Sequence, residues 1–164
     1  MHGEIILVTG GIRSGKSAFA EGLAAAKNES VLYVATGIKT DSEMETRIEQ
    51  HRKRRPVQWT TLEEPLNIVD TVQNYLSGSN SLKDIIIDSV DVWISNLILN
   101  NKDISPETLE SNTRESIGQL INCCRNQSSS TIIVSSEVGL SLVSPNALAR
   151  QFQDLLGISN QQIE

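Results

Sequence analysis

Short apolar runs alternate along the chain with longer amphipathic segments. Each run is rich in β-branched side chains and apolar nearly throughout, which is typical of strands that are covered on both faces. This alternation favours a parallel sheet whose strands are connected by crossover helices. The predicted strands are Glu4 to Val8, Val31 to Ala35, Asp84 to Asp88 and Thr131 to Ser135.

The segments between these runs have amphipathic patterns that predict helices. Two polar tracts, SGSNS at 77–81 and NQSSS at 126–130, are interpreted as surface loops because they are too short for interdomain linkers. We find no internal repeat or domain boundary, so residues 1–164 are predicted to form one α/β domain with helices on both faces of a mostly parallel sheet. The predicted helices are Lys16 to Lys27, Asp41 to Arg54, Pro65 to Leu76, Val92 to Leu99, Pro106 to Cys124 and Asn146 to Leu155.

Composition narrows the class of protein. A formal charge of −6 and 38% hydrophobic residues are typical of a folded acidic protein. No nucleic-acid partner is expected, since general binding needs a net basic surface. The apolar runs are far shorter than the roughly 20 residues of a membrane-spanning helix, and the N-terminus lacks a signal-peptide pattern. We therefore expect no membrane partner, and a cytoplasmic location.

The adjacent Cys123 and Cys124 are unsuited to an ordinary disulfide and are interpreted as helix residues.

The segment ILVTGGIRSGKSAFAEGLA contains the most informative pattern. It fits G-x-x-x-x-G-K-[ST] and lies between a predicted strand and a predicted helix. Glycines let the backbone close around phosphate oxygens, and the amides and the helix N-terminus donate hydrogen bonds to them. Lys16 is expected to reach the β- and γ-phosphates, and Ser17 to ligate Mg²⁺. The predicted nucleotide-binding residues of this loop are Gly10, Gly11, Ile12, Arg13, Ser14, Gly15, Lys16 and Ser17.

One acidic residue is a candidate ligand for the same metal ion. Asp88 ends the apolar run IIID, where folds with such a loop commonly place the carboxylate that holds Mg²⁺ through water. A residue that simply ends a strand or caps a helix would give the same pattern. The loop and Asp88 alone do not separate a kinase from an ATPase, a GTPase or a nucleotidyltransferase.

A basic segment, RIEQHRKRRP at 47–56, surrounds His51. On a helix, Arg47 and His51 are four residues apart and share a face, and Glu43 is spaced to pair with Arg47. Three interpretations are compatible with the segment by itself: an address tag, a solvated helix face, or half of an active site.

Several motifs in order resemble the bifunctional adenosylcobinamide kinase / adenosylcobinamide-phosphate guanylyltransferase family of late cobalamin biosynthesis. The loop alone is unspecific, but the ordered set spans nearly the whole chain and is specific. The chain departs from the family pattern at Ser136, Ser141 and Ser144. The motifs are VTGGIRSGKS at 8–17, YVATG at 33–37, DSEMETRIEQHRKRRP at 41–56 with WTTLE at 59–63, DSVDVWISNL at 88–97, SEVG at 136–139 and NALARQFQDLLGISNQ at 146–161.

The resemblance implies a two-step transferase with a RecA-like P-loop NTPase fold. In the first step, ATP or GTP phosphorylates the hydroxyl of adenosylcobinamide. In the second, GTP guanylylates a histidine, and the GMP passes to adenosylcobinamide phosphate to give adenosylcobinamide-GDP. The guanylylated histidine maps to His51, and a neutral imidazole is suited to attack an α-phosphorus. Flanking cations would disfavour the imidazolium and neutralise phosphate charge. These candidate cations are Arg47, Arg52, Arg54 and Arg55.

The resemblance also implies further contacts and an assembly. Glu63 and Glu137 match acidic positions that contact nucleotide or metal, although a cap for the helix predicted from Pro65 suits Glu63 equally well. Family members form trimers, so we expect a homo-oligomer. Members usually continue into a final buried strand, so after NQQIE either the chain has been shortened or the sheet lacks that strand. Two alternatives remain open: a simple P-loop small-molecule kinase without a covalent intermediate, and a nucleotide-switched binding module.

Overall fold

A computed structural model describes residues 3–27, 30–78, 83–140 and 142–164 of the chain. Strands and helices alternate through most of it, as the apolar pattern predicts. The elements in order are β1 (Ile5–Val8), α1 (Lys16–Lys27), β2 (Val31–Ala35), α2 (Ser42–Arg54), β3 (Thr60–Glu63), α3 (Ile68–Gly78), β4 (Asp84–Asp88), α4 (Val90–Asn100), α5 (Pro106–Arg125), β5 (Thr131–Val134) and α6 (Ala147–Ile163).

The strands form a parallel sheet in the order β1-β5-β4-β2-β3. Its register aligns the carboxyl ends of the strands, since Ala35 is paired with both Glu63 and Asp88, and Asp88 with Val134. The carboxyl ends of all the strands therefore lie at the same edge of the sheet. The predicted parallel α/β architecture is confirmed.

Each face of the sheet has its own apolar layer. Tyr33, Ile86 and Ile132 pack with buried alanines of α1 on one face, whereas Ile85 and Ile87 face α3 to α6 on the other. Because side chains alternate between the faces of a strand, the uninterrupted apolar runs supply both layers. The prediction of helices on both faces is confirmed. Within the described ranges, no helix has the length and apolar character needed to cross a membrane.

The central elements agree with their predicted bounds, and the differences lie nearer the periphery. β2, β4 and α1 match residue for residue. Strand β3 was missed because the short, polar TTLE has no apolar run, and it forms through pairing with the edge of β2.

Helices α2, α4 and α5 differ from their predicted bounds by one or two residues at an end, whereas α3 and α6 differ by more. Helix α6 continues beyond the predicted Leu155 because Ser159 and Ile163 extend its buried face. Helix α3 begins later than Pro65 because the Glu64 carboxylate accepts hydrogen bonds from the next backbone amides.

The polar loop predictions have different outcomes. The tract at 126–130 connects α5 to β5, as predicted. Of the tract at 77–81, the first two residues end α3, and positions 79–81 lie outside the described residues, as does Ser141.

Helix α2 lies on the surface and has no fully buried residue. It begins where the Asp41 side chain accepts a hydrogen bond from the Met44 amide at 2.8 Å, a favourable N-cap. Met44, Ile48 and His51 are partly buried and follow helical spacing, so they share one face. A Cβ on Gly37, in the turn after β2, would lie 3.4 Å from Ile48 Cδ1. The small residue at this turn lets α2 pack closely over the sheet edge, which places His51 there.

Candidate active site

A cleft of about 780 Å³ lies at the carboxyl edge of the sheet. Segments that follow β1 to β5 contribute to it together with one face of α2. Ligands of open α/β sheets bind outside the carboxyl ends of the strands, so this is the position expected for a substrate. The site residues predicted from sequence that line it are Ile12, Arg13, Ser14, Gly15, Lys16, Ser17, Arg47, His51, Arg54, Arg55, Glu63 and Asp88, whereas Gly10, Gly11, Arg52 and Glu137 do not.

The loop between β1 and α1 has the backbone geometry of a phosphate cradle. Gly15 has a φ of 88°, in the left-handed region that favours glycine. A Cβ on Gly10 would lie 2.8 Å from Ser14 Oγ, so a side chain there would collide with the loop. Lys16 Nζ donates to the Gly11 carbonyl oxygen at 2.7 Å, which holds the ammonium over the loop. Gly10 and Gly11 thus contribute to the backbone conformation and contacts of the loop but do not line the cleft.

Asp88 ends β4 at the centre of the sheet, and Ser17 lies in the first turn of α1. The Tyr33 hydroxyl donates to Asp88 Oδ2. Burial, followed by the charge of Asp88, raises the pKa of Tyr33, so the phenol stays protonated and keeps donating. This bond fixes the carboxylate while leaving it further lone pairs.

Ser17 and Asp88 both line the cleft and offer the oxygen ligands that Mg²⁺ prefers. Mg²⁺ is usually bound through one or two protein groups plus phosphate oxygens and water. Among the residues that the structure describes, no group of three or more His, Cys, Asp or Glu is placed to hold a metal ion. The donor set therefore fits an ion that arrives with a triphosphate.

His51 faces the cleft from α2 and is partly buried. Burial lowers the pKa of His51, Arg54 and Arg55 lower it further, and Asp88 opposes them. The ring is therefore neutral near pH 7. Arg54 Nη2 lies 3.3 Å from His51 Nδ1, and because arginine can only donate, Nδ1 is the nitrogen without a proton. His51 thus presents a lone pair to a cationic group inside the cleft.

The other arginines of the segment have separate contacts. Arg47 forms the Glu43 ion pair that the four-residue spacing predicts. Arg52 Nη1 lies 3.8 Å from Glu63 Oε1. The Arg55 guanidinium stacks on the Tyr33 ring, with its central carbon 3.6 Å from the ring centroid. Arg54, which the sequence offers as one of several flanking cations, is the one placed against His51. Its spacing of three residues from His51 on a helix is the signal that could have selected it.

Several contacts that support the cleft were not predicted from the sequence. Tyr33 has no signal beyond that of a buried strand residue, because its hydroxyl contact depends on the pairing of β2 with β4. The Asn96 side chain donates to the carbonyl oxygens of Thr36 and Pro65 at 2.9 and 3.1 Å, which ties together the segments after β2 and β3. The Glu137 amide donates to the Gly10 carbonyl oxygen at 3.1 Å and so braces the cradle from behind.

A family model described as cobinamide kinase / cobinamide phosphate guanyltransferase matches residues 6–164. The chain belongs to this family. Its relatives include the bifunctional adenosylcobalamin biosynthesis protein CobP of Pseudomonas aeruginosa, 38% identical over 96% of this chain and 85% of that protein. The CobU proteins of Escherichia coli and Salmonella typhimurium are 34% and 33% identical, each over 97% of this chain and 89% of their own length.

Solved structures resemble this member of the cobinamide kinase / cobinamide phosphate guanyltransferase family in fold. An ATP synthase subunit, NeqB, from Nanoarcheaum equitans superimposes with a TM-score of 0.63 at 11% identity, over 96% of this chain. An ATPase from the type III secretion system of pathogenic bacteria has a TM-score of 0.59 at 13% identity, over 94% of the chain. The chain spans 44% and 49% of those two proteins, and the likeness confirms the predicted P-loop ATPase-like fold.

Proposed function

We propose that this chain is a bifunctional transferase that phosphorylates adenosylcobinamide and then guanylylates the product to adenosylcobinamide-GDP. One observation carries the proposal: in a chain of this family, the phosphate cradle, Asp88 and His51 line a single cleft. The cradle is suited to any nucleoside triphosphate, whereas the neutral histidine adds the means for a covalent step.

The kinase step uses the cradle. The cobinamide hydroxyl oxygen attacks the γ-phosphorus of ATP or GTP, the bond from that phosphorus to the bridging oxygen breaks, and the hydroxyl proton is released. Phosphoryl transfer of this kind depends on positioning and charge stabilisation. We assign Lys16 to the β- and γ-phosphates, and the backbone amides from Gly10 to Ser17 to the phosphate oxygens. When Mg²⁺ is bound by Ser17 and Asp88, it supplies further neutralisation of the phosphate charge.

The guanylyl step uses His51. Nδ1 of His51, which becomes free when the Arg54 guanidinium turns to the α-phosphate of GTP, attacks the α-phosphorus. An N–P bond forms, pyrophosphate leaves, and the proton on the other ring nitrogen is released. A phosphate oxygen of adenosylcobinamide phosphate then attacks the same phosphorus and the N–P bond breaks, while the ring takes up a proton from water and returns to its neutral form. We assign Arg47, Arg54 and Arg55 to neutralisation of the phosphate charge in the cleft, with Arg52 and Glu63 at its rim.

A labelling experiment tests the proposal and separates it from the alternatives. The chain is incubated with GTP labelled at the α-phosphate, and we expect an acid-labile, alkali-stable protein adduct that unlabelled adenosylcobinamide phosphate discharges. A simple P-loop kinase would phosphorylate cobinamide without becoming labelled. A nucleotide-switched binding module would catalyse neither step, so that result would overturn the proposal.

The pH dependence of labelling follows from the environment of His51. Because burial, Arg54 and Arg55 lower the pKa of His51 below 6.5 while Asp88 opposes them, the neutral nucleophile predominates above that pH. We expect the labelling rate to approach a plateau as the pH rises above 6.5 and to fall as the ring is protonated in more acid solution. Initial rates of adduct formation between pH 5 and 8 measure the midpoint. A midpoint above 6.5 would contradict the proposed surroundings of the ring.

The assembly is a further part of the proposal. We propose that residues 1–164 act as one domain, in the cytoplasm where ATP and GTP are available, and as a homo-oligomer, with a trimer expected from the family. Support comes from the exposed apolar side chains of Leu140, Leu142 and Val143, which are 95%, 94% and 79% accessible. We expect light scattering to give a mass of about three chains. A mass of one 18.0 kDa chain at micromolar concentration would contradict the assembly.

A further inference from the structure

A buried carboxylate that the proposed chemistry does not use lies behind the phosphate cradle. Glu21 is one helical turn after Ser17 on α1, and its side chain is 13% exposed. Its Oε1 is buried and has no hydrogen-bond partner among residues 3–27, 30–78, 83–140 and 142–164. Burying a carboxylate costs free energy unless a nearby positive charge compensates it. The positive charges near Glu21 therefore indicate which side chain its carboxylate holds in place.

Arg54 connects Glu21 to His51. The same nitrogen, Arg54 Nη2, lies 3.9 Å from Glu21 Oε1 and 3.3 Å from His51 Nδ1. The two end groups come from different helices, Glu21 from α1 and His51 from α2. The arginine is thus the link between the helix that follows the cradle and the helix that carries the proposed nucleophile.

The charges around Glu21 favour this link. Burial raises the pKa of Glu21, Arg54 opposes that effect, Asp88 adds to it, and Arg55 opposes it in turn. Arg54 is therefore the strongest compensating charge for the carboxylate. The Arg54 side chain is 48% exposed, and a long side chain at such a position would otherwise sample many rotamers. A fixed carboxylate behind it restricts the guanidinium to the His51 side of the cleft.

We propose that Glu21 is a positioning residue for guanylyl transfer, which holds Arg54 against His51 Nδ1. Before GTP binds, the guanidinium keeps Nδ1 free of a proton, and it lies where its hydrogen bond can pass to the α-phosphate as Nδ1 attacks. This inference rests on the proposed function. It assigns Glu21 no part in the kinase step, for which the cradle, Ser17 and Asp88 suffice, so the two activities are expected to respond differently to its loss.

The variant Glu21→Gln keeps the shape of the side chain and removes its charge. We expect the rate of adduct formation from α-labelled GTP to fall about 10- to 100-fold, the size of effect that follows a loss of alignment. The rate of cobinamide phosphorylation and the thermal unfolding midpoint should remain close to those of the wild type. Glu49→Gln makes the same chemical change on the exposed side of α2 and should leave both rates unchanged.

A double-mutant cycle with Arg54→Ala tests whether Glu21 acts through the arginine. If it does, Glu21→Gln has little further effect on labelling when Arg54 is already alanine. The inference is overturned if the two losses multiply, if Glu21→Gln is labelled at the wild-type rate, or if it loses both activities together with thermal stability. Absence of label on the wild-type chain overturns the proposed function itself, and the inference with it.

Discussion

His51→Ala abolishes labelling by α-labelled GTP and the formation of adenosylcobinamide-GDP, while phosphorylation of cobinamide continues. The variant removes the only group assigned to form the N–P bond, so guanylyl transfer should fall by at least about 10⁴-fold, as when an enzyme loses its nucleophile. Alanine is a good helix former, so α2 is retained. The measurement is the amount of acid-labile adduct per chain, followed by the yield of each product.

Lys53→Ala is the matched control for this variant. Lys53 is on the same helix, exposed and outside the cleft lining, so its replacement tests for a general effect of alanine in α2. It should be labelled like the wild type. Full labelling of His51→Ala would contradict the assignment of the nucleophile, and loss of both activities would indicate that His51 supports the cleft rather than the covalent step.

Lys16→Ala impairs both steps at once. The ammonium is held over the cradle by the Gly11 carbonyl oxygen, and we propose that it contacts the β- and γ-phosphates. Both the phosphoryl donor and the guanylyl donor are triphosphates, so we expect each rate to fall by about 10²- to 10³-fold, the loss typical of one transition-state donor. Initial rates of cobinamide phosphorylation and of adduct formation, each at saturating nucleotide, measure the two effects.

Lys27→Ala provides the control on the same helix. Lys27 forms a surface ion pair with Glu4 at 2.9 Å and does not line the cleft, so both activities should be retained. If Lys16→Ala kept the guanylyl step and lost only the kinase step, GTP would be held elsewhere for guanylyl transfer. That outcome would argue for two nucleotide positions rather than one cradle serving both reactions.

The sequence by itself determined the α/β class, four strands of the sheet and the phosphate-loop motif. A strand with an uninterrupted apolar run, such as β4, has apolar side chains on both of its faces. Both faces must be covered, which is typical of strands in a parallel sheet. The glycines follow a strand and Lys16 begins a helix, and this local order already predicts a phosphate-binding loop. Both features depend on residues close together in the chain, so local patterns were sufficient to predict them.

Only the tertiary structure decided which side chains surround His51. Asp88 is aligned with Glu63 through β2, and Tyr33 reaches Asp88 across a strand pair that the chain order does not reveal. Glu21 and Arg54 are far apart in sequence and meet because α1 and α2 both follow strands that end at the same edge. Strand β3 likewise exists through pairing rather than through its own pattern. A spacing rule describes one helix or strand, whereas this site depends on register and packing between several of them.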